Sequence, residues 1–322
     1  MLREVSIEIL RKCPSACIHC SSLSDTTCSE EIEYDKFVSI VSDAKALGAK
    51  TICLSGGEPF LHPQIVDMIV YSSSLGLNTY VYTSGIVLDY ENNDCALDKN
   101  VLKAIAGRVT KLIFNIEASK ADTYNAIMKT TGCFEIMKKS VALASKSSII
   151  TEAHFVPMKL NIGEIEDTIE MCKDLGISKV SFLRLVLHGR ALNNEREIAL
   201  SDAELVFVKA LLERLKKENG MDIRIGVPLS SDNSCHKCEA ANGKLNIRYD
   251  GKVFPCEVFK NDRLASCFQG LESESINSCS LKDIYKNSQY LQTVRRLSQE
   301  FNSGAHYETC VGQYLMHEQG GR

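Results

Sequence analysis

Cys13, Cys17 and Cys20 stand in the run Cys13-Pro14-Ser15-Ala16-Cys17-Ile18-His19-Cys20, a C-x3-C-x2-C spacing. Three thiolates so spaced can hold three irons of a cubane cluster and leave the fourth iron open. A closed structural zinc site would need a fourth protein ligand nearby. A second run, Ser55-Gly56-Gly57-Glu58-Pro59-Phe60, follows an apolar strand pattern. Its glycines let a ligand approach the backbone closely, and its acid can accept from an ammonium group. Taken alone, that run reads equally as a Gly/Pro turn before a helix. A third group, Cys235-x2-Cys238-x17-Cys256, brackets a hairpin pattern and suits either a zinc knuckle or an iron–sulfur cluster.

The elements that must position these groups alternate regularly. Residues 5–10, 50–54, 78–83, 111–116, 149–156 and 179–185 read as strands. Helical patterns follow each, at 29–48, 63–75, 99–106, 121–144, 162–175 and 201–217, the last opening on a Ser201-Asp202-Ala203-Glu204 capping box. Six βα units in series predict an α/β fold, a partial (βα)6 TIM-like barrel with its site at the carboxyl ends of the strands. Cys13 directly follows the first strand. Beyond residue 226 a linker leads to a hairpin over 244–254 with a type I′ Asp250-Gly251 turn, then short helices near 282–288 and 290–299. Residues 1–220 are expected to form the barrel, and 227–322 a small hairpin/helix iron–sulfur domain.

The chain of 322 residues is 24% charged and 44% apolar, with net charge −4. That balance gives no reason to expect nucleic-acid binding, and no apolar run reaches membrane-spanning length. Fourteen cysteines without an export signal point to a reducing cytoplasm and metal-bound thiolates. Cys53, Cys133 and Cys172 lie in apolar segments and read as buried small hydrophobes.

Cys13, Cys17, Cys20 and Gly56-Gly57-Glu58-Pro59 together resemble the cluster and GGEP motifs of the radical S-adenosylmethionine (SAM) superfamily, over about residues 4–215. The resemblance implies a [4Fe–4S] cluster whose open iron binds SAM, with Gly56, Gly57 and Glu58 near the methionine amine and His19 touching adenine through its backbone. It implies reductive cleavage of SAM to a 5′-deoxyadenosyl radical, with an electron donor such as flavodoxin or ferredoxin. The spacing Cys238-x12-Gly251-x4-Cys256 resembles the opening of SPASM/twitch domains, implying one auxiliary [4Fe–4S] cluster with Cys310 as fourth ligand and Cys279 as runner-up. Polar residues on strand patterns mark a cavity: Asn115 at a ribose-binding place, Glu152 and Arg184 for cofactor, Glu117 and His154 for substrate. The expected reaction is modification of a peptide or protein side chain by oxidation, crosslinking or epimerisation. A small-molecule dehydrogenase or cofactor-biosynthesis enzyme is the alternative, and a non-catalytic iron–sulfur or zinc protein is the reading from another class.

Overall fold

In strand β1 (Glu4–Leu10), Val5, Ile7 and Ile9 alternate with Glu4, Ser6 and Glu8. The same alternation recurs around the sheet and sends apolar side chains to the helices and polar ones inward. The computed structural model describes residues 1–227, 229–230, 237–260, 264, 266–268, 270–304, 310–312 and 314–315. Strands β2 (Thr51–Gly56), β3 (Asn78–Thr83), β6 (Lys111–Asn115), β7 (Ile150–Phe155), β8 (Lys179–Phe182) and β9 (Asp222–Ile225) continue the sheet in parallel. Between them β4 (Ile86–Leu88) and β5 (Asp94–Ala96) form a separate hairpin. The hairpin β10 (Lys244–Ile247) and β11 (Val253–Phe254) adds to the other side of β1. The order β11-β10-β1-β2-β3-β6-β7-β8-β9 has two edges, so the sheet is an open barrel among the described residues.

Helices α1 (Tyr34–Ala46), α2 (Ile65–Ser74), α3 (Lys99–Ile105), α4 (Ala121–Met128), α5 (Cys133–Ser145) and α6 (Ile165–Asp174) cover the outer face. After β8 come two single turns, α7 (Arg190–Asn193) and α8 (Glu195–Ile198), then α9 (Asp202–Glu218) with its capping box formed. Outward residues of neighbouring strands meet in register: Phe114 beside Ala153, Phe155 beside Phe182. Phe155 and Phe182 are fully buried, each burial contributing on the order of 2–3 kcal/mol. Cys53, Cys133 and Cys172 are buried.

The structure departs from the sequence reading in several places. The single helix expected over 121–144 is broken, because Lys129 and Gly132 take left-handed conformations between α4 and α5. The first helix starts at Tyr34 because residues 30–32 run beside β1, with Ile32 N donating to Ile9 O and Glu30 accepting from Arg11. The Asp250-Gly251 turn is not type I′. Only Gly251 has positive φ, and Gly251 N donates to Arg248 O while Arg248 N donates to Lys252 O, a three-residue loop with glycine in the left-handed position. Strand β8 stops at Phe182, so Arg184 does not alternate with it and instead reaches inward from the following loop.

Candidate active site

The cysteine loop leaves β1 and is held by three distant segments. Cys13 N donates to Asp25 O, and Ala16 N and Ile18 N donate to Met128 O and Ile127 O at the end of α4. The third segment lies far off along the chain. Arg190 Nε donates to Cys17 O at 2.8 Å, Arg190 N to Cys20 O at 2.9 Å, and Asn194 Nδ2 to Ile18 O at 2.8 Å. Gly189, at φ +56°, lies so close that a Cβ there would stand 2.6 Å from Cys20 O. A glycine–arginine pair after a strand was its one sequence signal. Burial and mutual repulsion push the Cys13 and Cys17 thiols up, an arrangement that a bound cationic centre would reverse. All three are free thiols. Among the described residues no three His, Cys, Asp or Glu side chains close around a point that could hold one metal ion. Cys13, Cys17 and Cys20 share one loop and all line the same cavity, a donor set that fits three irons of a cubane cluster.

The Gly56-Gly57-Glu58 segment packs against the chain that enters the cysteine loop. Gly57 N donates to Leu10 O and Glu58 N to Lys12 O, which straps it to the chain entering the cysteine loop. A Cβ on Gly56 would meet Leu10 O at 2.2 Å, and one on Gly57 would meet Lys12 O at 2.0 Å. The glycines therefore admit protein backbone, while both still line the cavity. Glu58 is fully buried and does not line it. Its Oε1 accepts from Phe60 N and Thr83 Oγ1, and its Oε2 from Ser84 N and Ser84 Oγ. Burial pushes its carboxyl up and the donors pull it back. Its acceptor positions are taken by Phe60 N, by Thr83 Oγ1 at the end of β3 and by Ser84 N and Oγ just after it, which leaves none for the expected ammonium.

A cavity of about 1290 Å³ fills the barrel mouth and brings together Cys13, Cys17, His19, Cys20, Asn115, Glu117, His154 and Arg184. Glu152 is not among them. It lies one layer lower, where Lys111 Nζ bonds both its oxygens at 2.9 Å, so its assignment to the cofactor is corrected. His19 was expected to act only through its backbone, yet its Nε2 stands 3.5 Å from Glu117 Oε1. Burial holds His19 down at about 4 and raises Glu117 to about 8, so the pair is uncharged at neutral pH. Burial beside Arg224 and Lys111 lowers His154 to about 3, and its ring packs on Tyr82 at 5.3 Å. Among the described residues, buried polar atoms without a hydrogen-bond partner cluster here: Glu8 Oε2, Ser15 Oγ, His19 Nδ1, Ser24 Oγ, Glu117 Oε1 and Arg184 Nη1 all belong to cavity-lining residues. Buried polar groups are normally satisfied, so this grouping marks space for a polar ligand.

Cys238, Cys256 and Cys310 line the same cavity from the C-terminal side. Burial, Glu257 and the neighbouring Cys310 and Cys238 push the Cys256 thiol up. Arg184 Nη2 donates to Cys310 Sγ at 2.9 Å, so the guanidinium expected at the cofactor touches a thiol, and among the described residues its Nη1 has no hydrogen-bond partner. Cys279 is exposed and does not line the cavity. Cys235 and the terminal residues 320–322 lie outside the described residues.

A partial barrel whose first strand delivers three open-cluster thiols to a deep polar mouth is the layout of an enzyme that activates SAM. The chain belongs to the Radical SAM superfamily, whose profile matches residues 7–172. It is 25% identical over 294 residues to the PqqA peptide cyclase of Rhizobium meliloti, covering 89% of this chain and 74% of the relative. It is 24% identical over 278 residues to the AdoMet-dependent heme synthase of Methanosarcina barkeri, covering 79% and 76%. The crystal structure of Streptococcus suis SuiB bound to precursor peptide SuiA superposes with a TM-score of 0.73 at 14% identity, over 92% of this chain and 67% of that one. The family implies a [4Fe–4S] cluster and SAM. Among the described residues no helix is long and apolar enough to cross a membrane.

Proposed function

We propose that this radical SAM enzyme modifies a side chain of a peptide, using one auxiliary [4Fe–4S] cluster beside the SAM-binding one. The observation that carries the reading is the shared cavity, walled by Cys13, Cys17 and Cys20 on one side and by Cys238, Cys256 and Cys310 on the other. Cys13, Cys17 and Cys20 would hold the first cluster; Cys235, Cys238, Cys256 and Cys310 the second. The first cluster, when loaded, supplies the electron that splits SAM to a 5′-deoxyadenosyl radical able to take a hydrogen atom from substrate. Around it this chain's own groups do the positioning. Gly56 and Gly57 present backbone to the cofactor, Asn115 faces the ribose, and His19 and Glu117 meet the ligand uncharged. His154 is held neutral against Tyr82 on the substrate side. Arg184 steadies Cys310. Residues 1–220 would form the SAM-binding unit and 227–322 the auxiliary-cluster unit. A peptide substrate is supported by the PqqA peptide cyclase relatives; an electron donor of the flavodoxin or ferredoxin kind would reduce the first cluster.

The test is anaerobic reconstitution with dithionite and SAM, followed by release of 5′-deoxyadenosine. Cys17→Ala should release none; equal release by that variant would sink the enzyme reading. Deuterium-labelled candidate peptides should then pass label into 5′-deoxyadenosine. Transfer only from a small molecule, such as a tetrapyrrole precursor as the heme synthase relative would suggest, would overturn the peptide assignment.

A further inference from the structure

Glu8 and Lys260 form an ion pair sealed inside the protein, with side chains only 5% and 3% exposed. Glu8 comes from β1, five residues before Cys13; Lys260 ends the 3₁₀ turn Glu257–Lys260 that follows Cys256. The pair thus spans the seam between the two cysteine groups. Ser22, two residues past Cys20, completes it: its hydroxyl donates to Glu8 Oε1 at 2.9 Å and accepts from Lys260 Nζ at 3.4 Å. Glu8, Ser22 and Lys260 line the same cavity as Cys20 and Cys256. Burial opposes the charge on the ammonium; the titratable groups that face it, Glu8, Glu257 and Cys20, all favour it. Arg248 faces Glu8 from β10's end, but its guanidinium is spent on Asp250.

Stability does not account for such a pair. Desolvating two charges offsets most of their attraction, and well-packed apolar residues of similar size usually serve the fold as well or better. A fixed charge beside an iron–sulfur cluster has another effect: cluster potentials respond to net charge and burial. We propose that Lys260 is a positioning residue that raises the reduction potential of the cluster held by Cys13, Cys17 and Cys20, with Glu8 as its counterweight. The inference rests on the cluster assignment proposed above. The added electron is stabilised by the ammonium and opposed by the carboxylate, in a seam from which water is largely excluded.

Opposite shifts distinguish this from a structural clasp. In the reconstituted holoenzyme, the two clusters are titrated separately by electron paramagnetic resonance, the first identified by its spectral response to SAM. Lys260→Met should lower the reduced-to-oxidised ratio of the first cluster at fixed potential about tenfold, a shift of about 59 mV for one electron. Glu8→Gln should shift it the other way, and the double variant should fall between. The shift of the first cluster should exceed that of the second. Should a single neutralisation prevent cluster uptake, Lys260→Arg, which keeps the charge, should leave the ratio within threefold of wild type, and the double variant should load both clusters. Shifts of the same sign, no shift, a larger shift in the second cluster, or a tenfold change in Lys260→Arg would overturn the proposal. Absence of any SAM-responsive cluster signal in the wild type would instead overturn the cluster assignment.

Discussion

Glu58→Gln separates two roles for the same carboxylate, because the structure makes an isosteric change costly. Each oxygen of Glu58 accepts from one backbone N–H, Oε1 from Phe60 and Oε2 from Ser84, and each also accepts from a hydroxyl. Hydroxyls can rotate; backbone N–H groups cannot. Whichever way a glutamine amide is turned, its NH2 faces one of those backbone donors. A hydrogen bond to a charged acceptor contributes about 1.5–3 kcal/mol, and a buried donor left unpaired costs about 1–3 kcal/mol. Relaxation of the Thr83 and Ser84 hydroxyls offsets part of this, so a loss of about 3 kcal/mol is expected. For 322 residues, with an unfolding entropy of about 2.1 cal/mol/K per residue, that corresponds to a fall in Tm of roughly 4–5 °C. The assay is anaerobic thermal unfolding of the apo protein by circular dichroism, with no cluster or SAM to confound it. A variant melting within about 2 °C of wild type, but binding SAM more weakly when loaded, would refute the reasoning and return Glu58 to the cofactor.

Arg190→Ala removes guanidinium bonds to the carbonyls of Cys17 and Ser24, each worth about 1.5–3 kcal/mol, so the loaded protein should surrender iron to a chelator at least about tenfold faster. Lysine at that position, with one donor centre in place of a fork, should rescue only part of the loss. Gly189→Ala forces a Cβ against Cys20 O at a positive φ, and cluster uptake, read by iron content, should fall with it. Burial raises Glu117 from 4.5 to about 8, so the folded chain keeps a proton that the unfolded chain releases. Its contribution is therefore whole below the lower value and lost as pH rises through the upper one, by up to about 1.4 kcal/mol per unit. Urea titrations from pH 5 to 8 should show that slope in wild type and a flatter one in Glu117→Gln. Cys310→Ser should lower iron content from about eight toward about four per chain, while 5′-deoxyadenosine release persists.

Much of this architecture was legible because its signals are local. Alternating residues fix a strand, and Cys13 three residues after β1 fixes where the thiols emerge. What failed to show were consequences of distance. Gly189, Arg190 and Asn194 lie about 170 positions from the loop they hold, and no periodicity links them. Strand β9, only Asp222–Ile225, is too short to stand out from a loop. The Gly56-Gly57-Glu58 motif is legible, but a sequence cannot say that the backbone of residues 10–12 passes against its glycines or that Phe60, Thr83 and Ser84 take the acceptors of Glu58.

Glu152 and His154 expose a limit of a different kind. Both lie on the inner face of β7, and strand alternation treats them alike. The structure separates them by depth. In the lower layer charges are already paired: Lys111 with Glu152 and also over the Tyr80 ring at 4.2 Å, Lys179 with Asp222, Lys244 with Glu4. In the upper layer Glu8, His19, Glu117 and Arg184 each keep a buried polar atom without a hydrogen-bond partner among the described residues. A ligand bound low would have to break ion pairs, whereas one bound high satisfies groups already desolvated at the expense of folding. The polar lumen therefore has a neutralised floor and an unsatisfied rim, and the rim is where the cysteines of both groups open. Facing inward makes a residue a candidate; being left unpaired near the carboxyl ends of the strands is what makes it available to a ligand.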